Sequence, residues 1–145
     1  MKVQRRRALD HDVTFLEDVH VAALGPVALV GYGWPAFRLR DQFHKEIAVR
    51  NCHVIIVDGV DAGYLSIEDK IEFWYIDAIA IAPKYQKKGV GTAAIRSVLV
   101  EAGTLPVRLN VLHINKAKSL YERLGFRTIL EDQRRQIMEW RHRLA

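Results

Sequence analysis

The densest concentration of chemically useful residues is one short run, Pro83-Lys84-Tyr85-Gln86-Lys87-Lys88-Gly89-Val90-Gly91-Thr92-Ala93-Ala94. Gly89 and Gly91 let a ligand approach the backbone closely, and Lys84, Lys87 and Lys88 supply positive charge. A Walker A phosphate loop needs G-x-x-x-x-G-K-[ST], which the chain lacks. Gly89-x-Gly91-x-x-Ala94 satisfies the looser dinucleotide fingerprint, but that motif turns directly from strand into helix. Here seven residues separate Ile81 from Gly89, and no acidic strand end follows at the required distance. The third reading is an anion cradle at a helix start, where free N–H groups of the first turn and the helix dipole add to the lysine charges. Q-x-x-G-x-G alone leaves that reading level with a solvated basic loop ahead of an ordinary helix.

A second segment, Asn115-Lys116-Ala117-Lys118-Ser119-Leu120-Tyr121-Glu122-Arg123-Leu124-Gly125-Phe126, follows after one intervening helix and strand. The two segments together resemble the signature of the GNAT superfamily of acyl-CoA-dependent N-acetyltransferases. One is the Q-x-x-G-x-G pyrophosphate loop behind an apolar strand ending in Pro; the other is the N-x-A-x-x-L-Y-E-x-x-G-F helix. Asn115 stands six residues before Tyr121, the shorter of two spacings that such proteins show. The resemblance covers the whole chain. Asp58-Gly59 followed by Gly63-Tyr64, the Gly33-Trp34 loop, the Gln42-Phe43 helix and the Met138-Glu139-Trp140 strand are similar to one branch of generic GNAT proteins.

The resemblance implies acetyl-CoA as co-substrate, no metal, and a primary amine, small-molecule or peptide, as acceptor. Ile79, Ala80 and Ile81 match the strand whose main chain binds the pantetheine arm like an added strand. Gln86, Lys87, Lys88, Gly89, Val90, Gly91 and Thr92 match the pyrophosphate loop, with Asn115 as a further coenzyme contact. Tyr121 matches the tyrosine that protonates the departing thiolate, a role that elementary chemistry also supports, since a phenol can donate to sulfur while a backbone N–H stabilises the oxyanion. Tyr121 also shares a helical face with Ala117 and Leu124, which makes a core position the alternative.

An amine acceptor is largely protonated at neutral pH and must lose a proton before attacking. Asp77 is the only charge between Glu72 and Lys84. A carboxylate there is costly unless paired, so Asp77 is either a base or a salt-bridged structural group with Arg108 as partner. His113, Glu72, Tyr75 and a water chain are further options for the base. Tyr32, Trp34 and Phe37 either line an amine pocket or, the favoured reading, anchor their loop to the core.

The elements that must position these groups follow from periodicity. Val3 to Leu9 reads as a strand, and Asp10 as the cap of a helix running to about Leu24, where Gly25-Pro26 interrupts it. Gly31 to Pro35 reads as a loop and Phe37 to about Ala48 as a second helix. His53 to Val57 and Ala62 to Ile67 form a hairpin about Asp58-Gly59. Ile71 to Ile81 is the most apolar extended run and reads as a central strand buried on both faces. A helix from Gly89 to Gly103, a strand Val107 to Val111, a short helix capped by Asn115, and strands Phe126 to Leu130 and Gln136 to Trp140 complete the chain. This is an α/β (α+β mixed) fold: a mostly antiparallel sheet of about six to seven strands flanked by about four helices, in one GNAT-like domain spanning 1–145.

Composition sets outer limits. Half of the 145 residues are hydrophobic, with only four prolines and nine glycines, which excludes a disordered or collagenous chain. Cys52 is the sole cysteine, so neither a disulfide framework nor a multi-cysteine metal site is available, as suits a reducing compartment. The N-terminus lacks a signal-peptide pattern, and the apolar stretch Val19 to Tyr32 is broken and short for a bilayer; a cytoplasmic protein with no membrane partner is expected. Residues 1–72 carry nine Lys and Arg against eleven Asp and Glu, and residues 73–145 thirteen against six, so the second half carries the whole excess of +5. No nucleic-acid motif accompanies that charge, and no nucleic-acid partner is expected. Arg5 to Arg7, Arg134, Arg135, Arg141 and Arg143 read as solvated edge-strand charges. Exposed sheet edges and the resemblance allow a homodimer. The functional expectation is acetyl transfer to a primary amine by direct attack in a ternary complex; the alternative is an acyl-CoA-binding module without turnover.

Overall fold

The hairpin signal at Asp58-Gly59 closes as the spacing predicts. Both turn residues have positive φ, 48° and 81°, and they join β2 (Cys52–Val57) to β3 (Val60–Asp69) in antiparallel pairing. β1 (Val3–Arg7) pairs with the outer side of β2, and β4 (Trp74–Ile81) with β3. α3 (Val90–Ala102) then carries the chain across to β5 (Val107–Leu112), which runs parallel to β4. After α4 (Lys118–Leu124) come β6 (Arg127–Glu131) and β7 (Arg135–Trp140), with β7 inserted between β5 and β6. The strand order in this computed structural model is β1-β2-β3-β4-β5-β7-β6, and residues 1–113 and 115–142 are described.

Two apolar layers cover the sheet. On one face Ile55, Leu65, Ile76, Leu109 and Met138 meet Val90, Ile95 and Val98 of α3 and Tyr121 of α4. On the other, Val54, Tyr64 and Ala80 meet Leu16 and Val19 of α1 (Val13–Tyr32) and Phe43 of α2 (Ala36–Glu46). The inward residues of α3 recur at helical spacing, as its sequence requires.

Four expectations need correction. Gly25-Pro26 does not interrupt α1, which continues to Tyr32 and ends at Gly33 with φ 67°. Pro26 and Ala22 are both exposed, so water can satisfy the Ala22 carbonyl that loses its helical partner. By length and composition the resulting helix meets the requirement for a membrane span, although Leu16, Val19, His20 and Ala28 are buried within this domain. β4 is central, but of its residues only Ile76 and Ala80 are buried. Apolar layers lie on both of its faces, but beyond Ile76 its edge toward β5 is unpaired, which leaves the rest of the strand partly open.

The arginines expected to be solvated edge charges are largely engaged. Arg5 bonds Ser97, His53 and Glu101; Arg6 grips the buried Asp12 through two 2.9 Å bonds. Arg134 lies over the Tyr32 ring at 5.7 Å, and Arg141 bonds Glu139. Of these strands only β1 is an edge, since β7 is interior to the sheet. Arg143 lies outside the described residues. Finally, Tyr32 and Trp34 stack on each other, but Phe37 is 73% exposed and anchors nothing.

Candidate active site

The site begins with a parity change in β4. Trp74 N–H bonds Pro106 O on the β5 side, whereas Ala82 N–H bonds Ala62 O on the β3 side. In a regular strand two residues separated by an even number would face the same way. Ser66 lies opposite Ala78 and Ile67 opposite Ile76, so Asp77 is an extra residue, a β-bulge. Beyond it the main-chain groups of Ile79 and Ile81 face away from β3. Among the described residues no strand meets them there, because β4–β5 pairing stops at Ile76 and Leu109. At that edge the Ile81 carbonyl is taken by the Gln86 side chain and the remaining groups have no strand partner.

Gly63 sets how tightly β4 is held. It lies opposite Ile81, and a Cβ at that position would run into the Ala80 carbonyl. Ala80 points its side chain into the α1–α2 layer and its carbonyl toward β3, so only Ile79 and Ile81 turn their main chain to the unpaired side.

From the end of β4 a short 3₁₀ turn leads into the glycine loop, and Gln86 Nε2 donates to Ile81 O at 2.9 Å, tying loop to strand. Lys87 and Gly89 both adopt left-handed backbone, with φ 61° and 81°. Alternation of hand turns successive N–H groups inward, as in anion-binding nests. Ala93 N–H is bonded to Gly89 O at 3.0 Å, which leaves the N–H groups of Val90, Gly91 and Thr92 without helical acceptors. Val90 is 1% exposed and anchors the loop in the core. Lys88 is exposed, and Lys84 lies over the Tyr85 ring at 5.5 Å. The loop thus places N–H groups without helical acceptors beside Lys87 and Lys88, directly after the unpaired edge of β4.

Tyr121 stands on α4 in the same layer as Ile79, Ile81 and Val111, edge-on to Phe126 at 6.1 Å. Burial pushes its phenol up to about 12, so it stays protonated at neutral pH. Asn115 Oδ1 accepts from Ala117 N–H at 2.9 Å and so shapes the entry to α4.

Asp77 faces the opposite, α1–α2 side, where Ser66 Oγ donates to its Oδ2 at 3.4 Å. Burial, then the neighbouring Glu68 carboxylate, raise the Asp77 carboxyl to about 7. Arg108 is not its partner: the β5–β7 register places Arg108 opposite Glu139, 2.8 Å away, and its guanidinium stacks on Phe73 at 4.1 Å. His113 Nε2 lies 2.7 Å from Asp132 O, which can only accept, so that nitrogen is a donor. Glu72 sits exposed in the β3–β4 turn, at the far end of β4 from the cleft. Tyr75 shares the Asp77 face, opposite Glu68.

Sequence reasoning missed Ser66 and Glu68. They stand at alternate positions on β3 after Tyr64, a period-two signal for a shared face. Their relation to Asp77 depends on the bulge, which no residue type announces.

Residues 48–128 match the family described as acetyltransferase (GNAT) domain, more than half of the chain. An uncharacterized N-acetyltransferase of Escherichia coli (strain K12), YafP, is 26% identical over 92 residues, which are 63% of this chain and 56% of that protein. The chain therefore spans little more than half the length of that relative. Among solved structures, the PaiA N-acetyltransferase of Thermoplasma acidophilum in complex with coenzyme A superposes with TM-score 0.81 at 18% identity, covering 98% of this chain and 100% of that one. The ribosomal-protein-S18-alanine N-acetyltransferase of Escherichia coli gives 0.73 at 19% identity, covering 99% and 96%. With the family match over the bulged strand, the glycine loop and the Tyr121 helix, the chain belongs to the GNAT acetyltransferase family.

Proposed function

We propose that the chain transfers acetyl from acetyl-CoA to a primary amine by direct attack within a ternary complex. The observation that carries this reading is the continuity of the free β4 edge at Ile79–Ile81 with the anion cradle at Lys87–Thr92. A coenzyme with an amide-bearing arm and a pyrophosphate needs both, in that order along one cleft. The nest and the open first turn of α3 fit a pyrophosphate, and Lys87 and Lys88 balance its charge. The coenzyme complex of the Thermoplasma relative supports the same reading.

Acid and base then approach the reacting carbon from opposite faces of the sheet. Asp77 takes a proton from the acceptor ammonium, freeing the nitrogen lone pair for attack on the thioester carbonyl. Main-chain N–H groups at the bulge face the charge that develops on the carbonyl oxygen. As the C–N bond forms and the C–S bond breaks, Tyr121 gives its phenolic proton to sulfur and recovers one from solvent. The balance is ammonium plus thioester to amide, thiol and one proton. The acceptor enters from the α1–α2 side, which Asp77 faces, and is a small-molecule or peptide amine.

Thermal unfolding with acetyl-CoA, followed by turnover of a primary-amine library, tests the proposal. A shift of several degrees with acetyl-CoA is expected. Tyr121→Phe should lower kcat by on the order of 10²–10⁴ while leaving coenzyme affinity almost unchanged. Absence of a thermal shift overturns the coenzyme assignment; a shift without turnover of any amine leaves a binding module.

A further inference from the structure

The Asp77 carboxyl has a neighbour that gives it more than proximity. β3 alternates regularly through this region, so Tyr64, Ser66 and Glu68 all face the α1–α2 side. Glu68 lies opposite Tyr75, while the bulge turns Asp77 back toward Ser66. Lys70 Nζ, from the following turn, sits 3.2 Å from Glu68 Oε2. We propose that Glu68 is a positioning residue for the reaction: held beside Asp77 on one sheet face and tethered by Lys70, its carboxylate keeps Asp77 basic enough to deprotonate the acceptor. The proposal rests on Asp77 being the base.

A carboxylate beside a half-buried carboxyl delays its ionisation, so Asp77 gives up its proton near neutrality and, once ionised, takes one from the acceptor more readily than a free carboxylate would. Lys70 fixes the place of the Glu68 carboxylate from the solvent side. The charged and titratable groups around the pair can be named element by element. β3 and its turn supply Glu68 and Lys70, and β2 supplies the buried Cys52 thiol. β4 itself brings Tyr75, on which Arg135 of β7 also acts. α1 reaches the layer through His20, 2.7 Å from the Tyr64 hydroxyl and kept neutral by burial. Of these, Glu68 raises the Asp77 carboxyl and Lys70 lowers it, so the pair is tuned from both sides.

This opposition supplies the test. The ¹³C carboxyl resonances of the full chain are titrated by NMR, with Asp77→Asn assigning the Asp77 signal. The pH dependence of kcat/KM is measured in parallel with acetyl-CoA and the primary amine turned over fastest in the library. Glu68→Gln should move the Asp77 titration and the acidic limb of kcat/KM down by about one pH unit, with a lower plateau because the base is weaker. Lys70→Gln should move both upward. A merely structural role for Glu68 would change stability without shifting the limb in these opposite directions. If Asp77→Asn keeps wild-type turnover, the assignment of the base fails. If Asp77→Asn loses turnover but Glu68→Gln leaves resonance and limb in place, the carboxyl pair is overturned and Asp77 stands alone.

Discussion

Gly63→Ala probes the joint between the fold and the cleft. The added Cβ would lie 3.1 Å from Ile81 Cα and 3.2 Å from Ile81 Cδ1, where ordinary contact begins at 3.4 Å, and nearer still to the Ala80 carbonyl oxygen. All but one of these obstacles are backbone, so no rotamer change relieves them. β3 is backed by β2, with Ile55 opposite Gly63, and cannot retreat. β4 is unpaired on its far side beyond Ile76, so it yields, by about half an ångström or more, toward the cleft. Overpacking of this kind costs about 1–3 kcal/mol, or about 2–10 °C in Tm for a domain of this size. The displaced residues are those proposed to bind the pantetheine arm, so KM for acetyl-CoA should rise on the order of tenfold, given that misplacement by a full ångström costs up to about 10²-fold. Thermal unfolding and steady-state kinetics with varied acetyl-CoA measure both. A variant with wild-type Tm and wild-type KM refutes the close β3–β4 approach; a lowered Tm with unchanged KM refutes the direction of the shift.

Three further outcomes follow from named contacts. Lys87 holds a left-handed φ of 61°, so Lys87→Gly should relieve strain and leave Tm level or slightly raised while weakening acetyl-CoA binding, as calorimetry would show. The Arg6 guanidinium holds the Asp12 carboxyl far below the usual range, with help from Leu9 N–H at 2.8 Å. A depressed carboxyl contributes stability above its unfolded pKa and loses it as pH falls, so the cost of Asp12→Ala in urea unfolding, about 2 kcal/mol at pH 7, should narrow below about pH 4. Tyr64→Phe leaves the buried His20 Nδ1 without its hydroxyl partner and should cost about 1–2 kcal/mol at pH 7. In the wild type, because burial lowers His20, its contribution is complete above the ordinary histidine pKa and fades as pH drops below about 6.5.

Much of the architecture was legible because it rests on local rules. Asp58-Gly59 demands a hairpin, and Gly103 and Gly125 end helices that apolar periodicity begins. The Pro26 expectation failed because a helix tolerates proline where the orphaned carbonyl faces water, and exposure is a tertiary property. The arginines of β1 were misread for a related reason. A charge on an edge strand looks solvated until the packing of α3 and of the turn before α1 supplies Ser97, Glu101 and Asp12 as partners.

By itself the sequence determined the glycine loop, the helix carrying Tyr121, and the order in which strand, loop and helix follow one another, because close approach, helix starts and apolar stripes are written in neighbouring residues. The tertiary structure alone decided what those parts face. The extra residue at Asp77 reverses the parity of β4, hands Ile79 and Ile81 to an open edge, and brings Ser66 and Glu68 to the carboxyl. Register between strands is settled by contacts distant in sequence, and a one-residue bulge moves every later side chain and hydrogen bond to the other side.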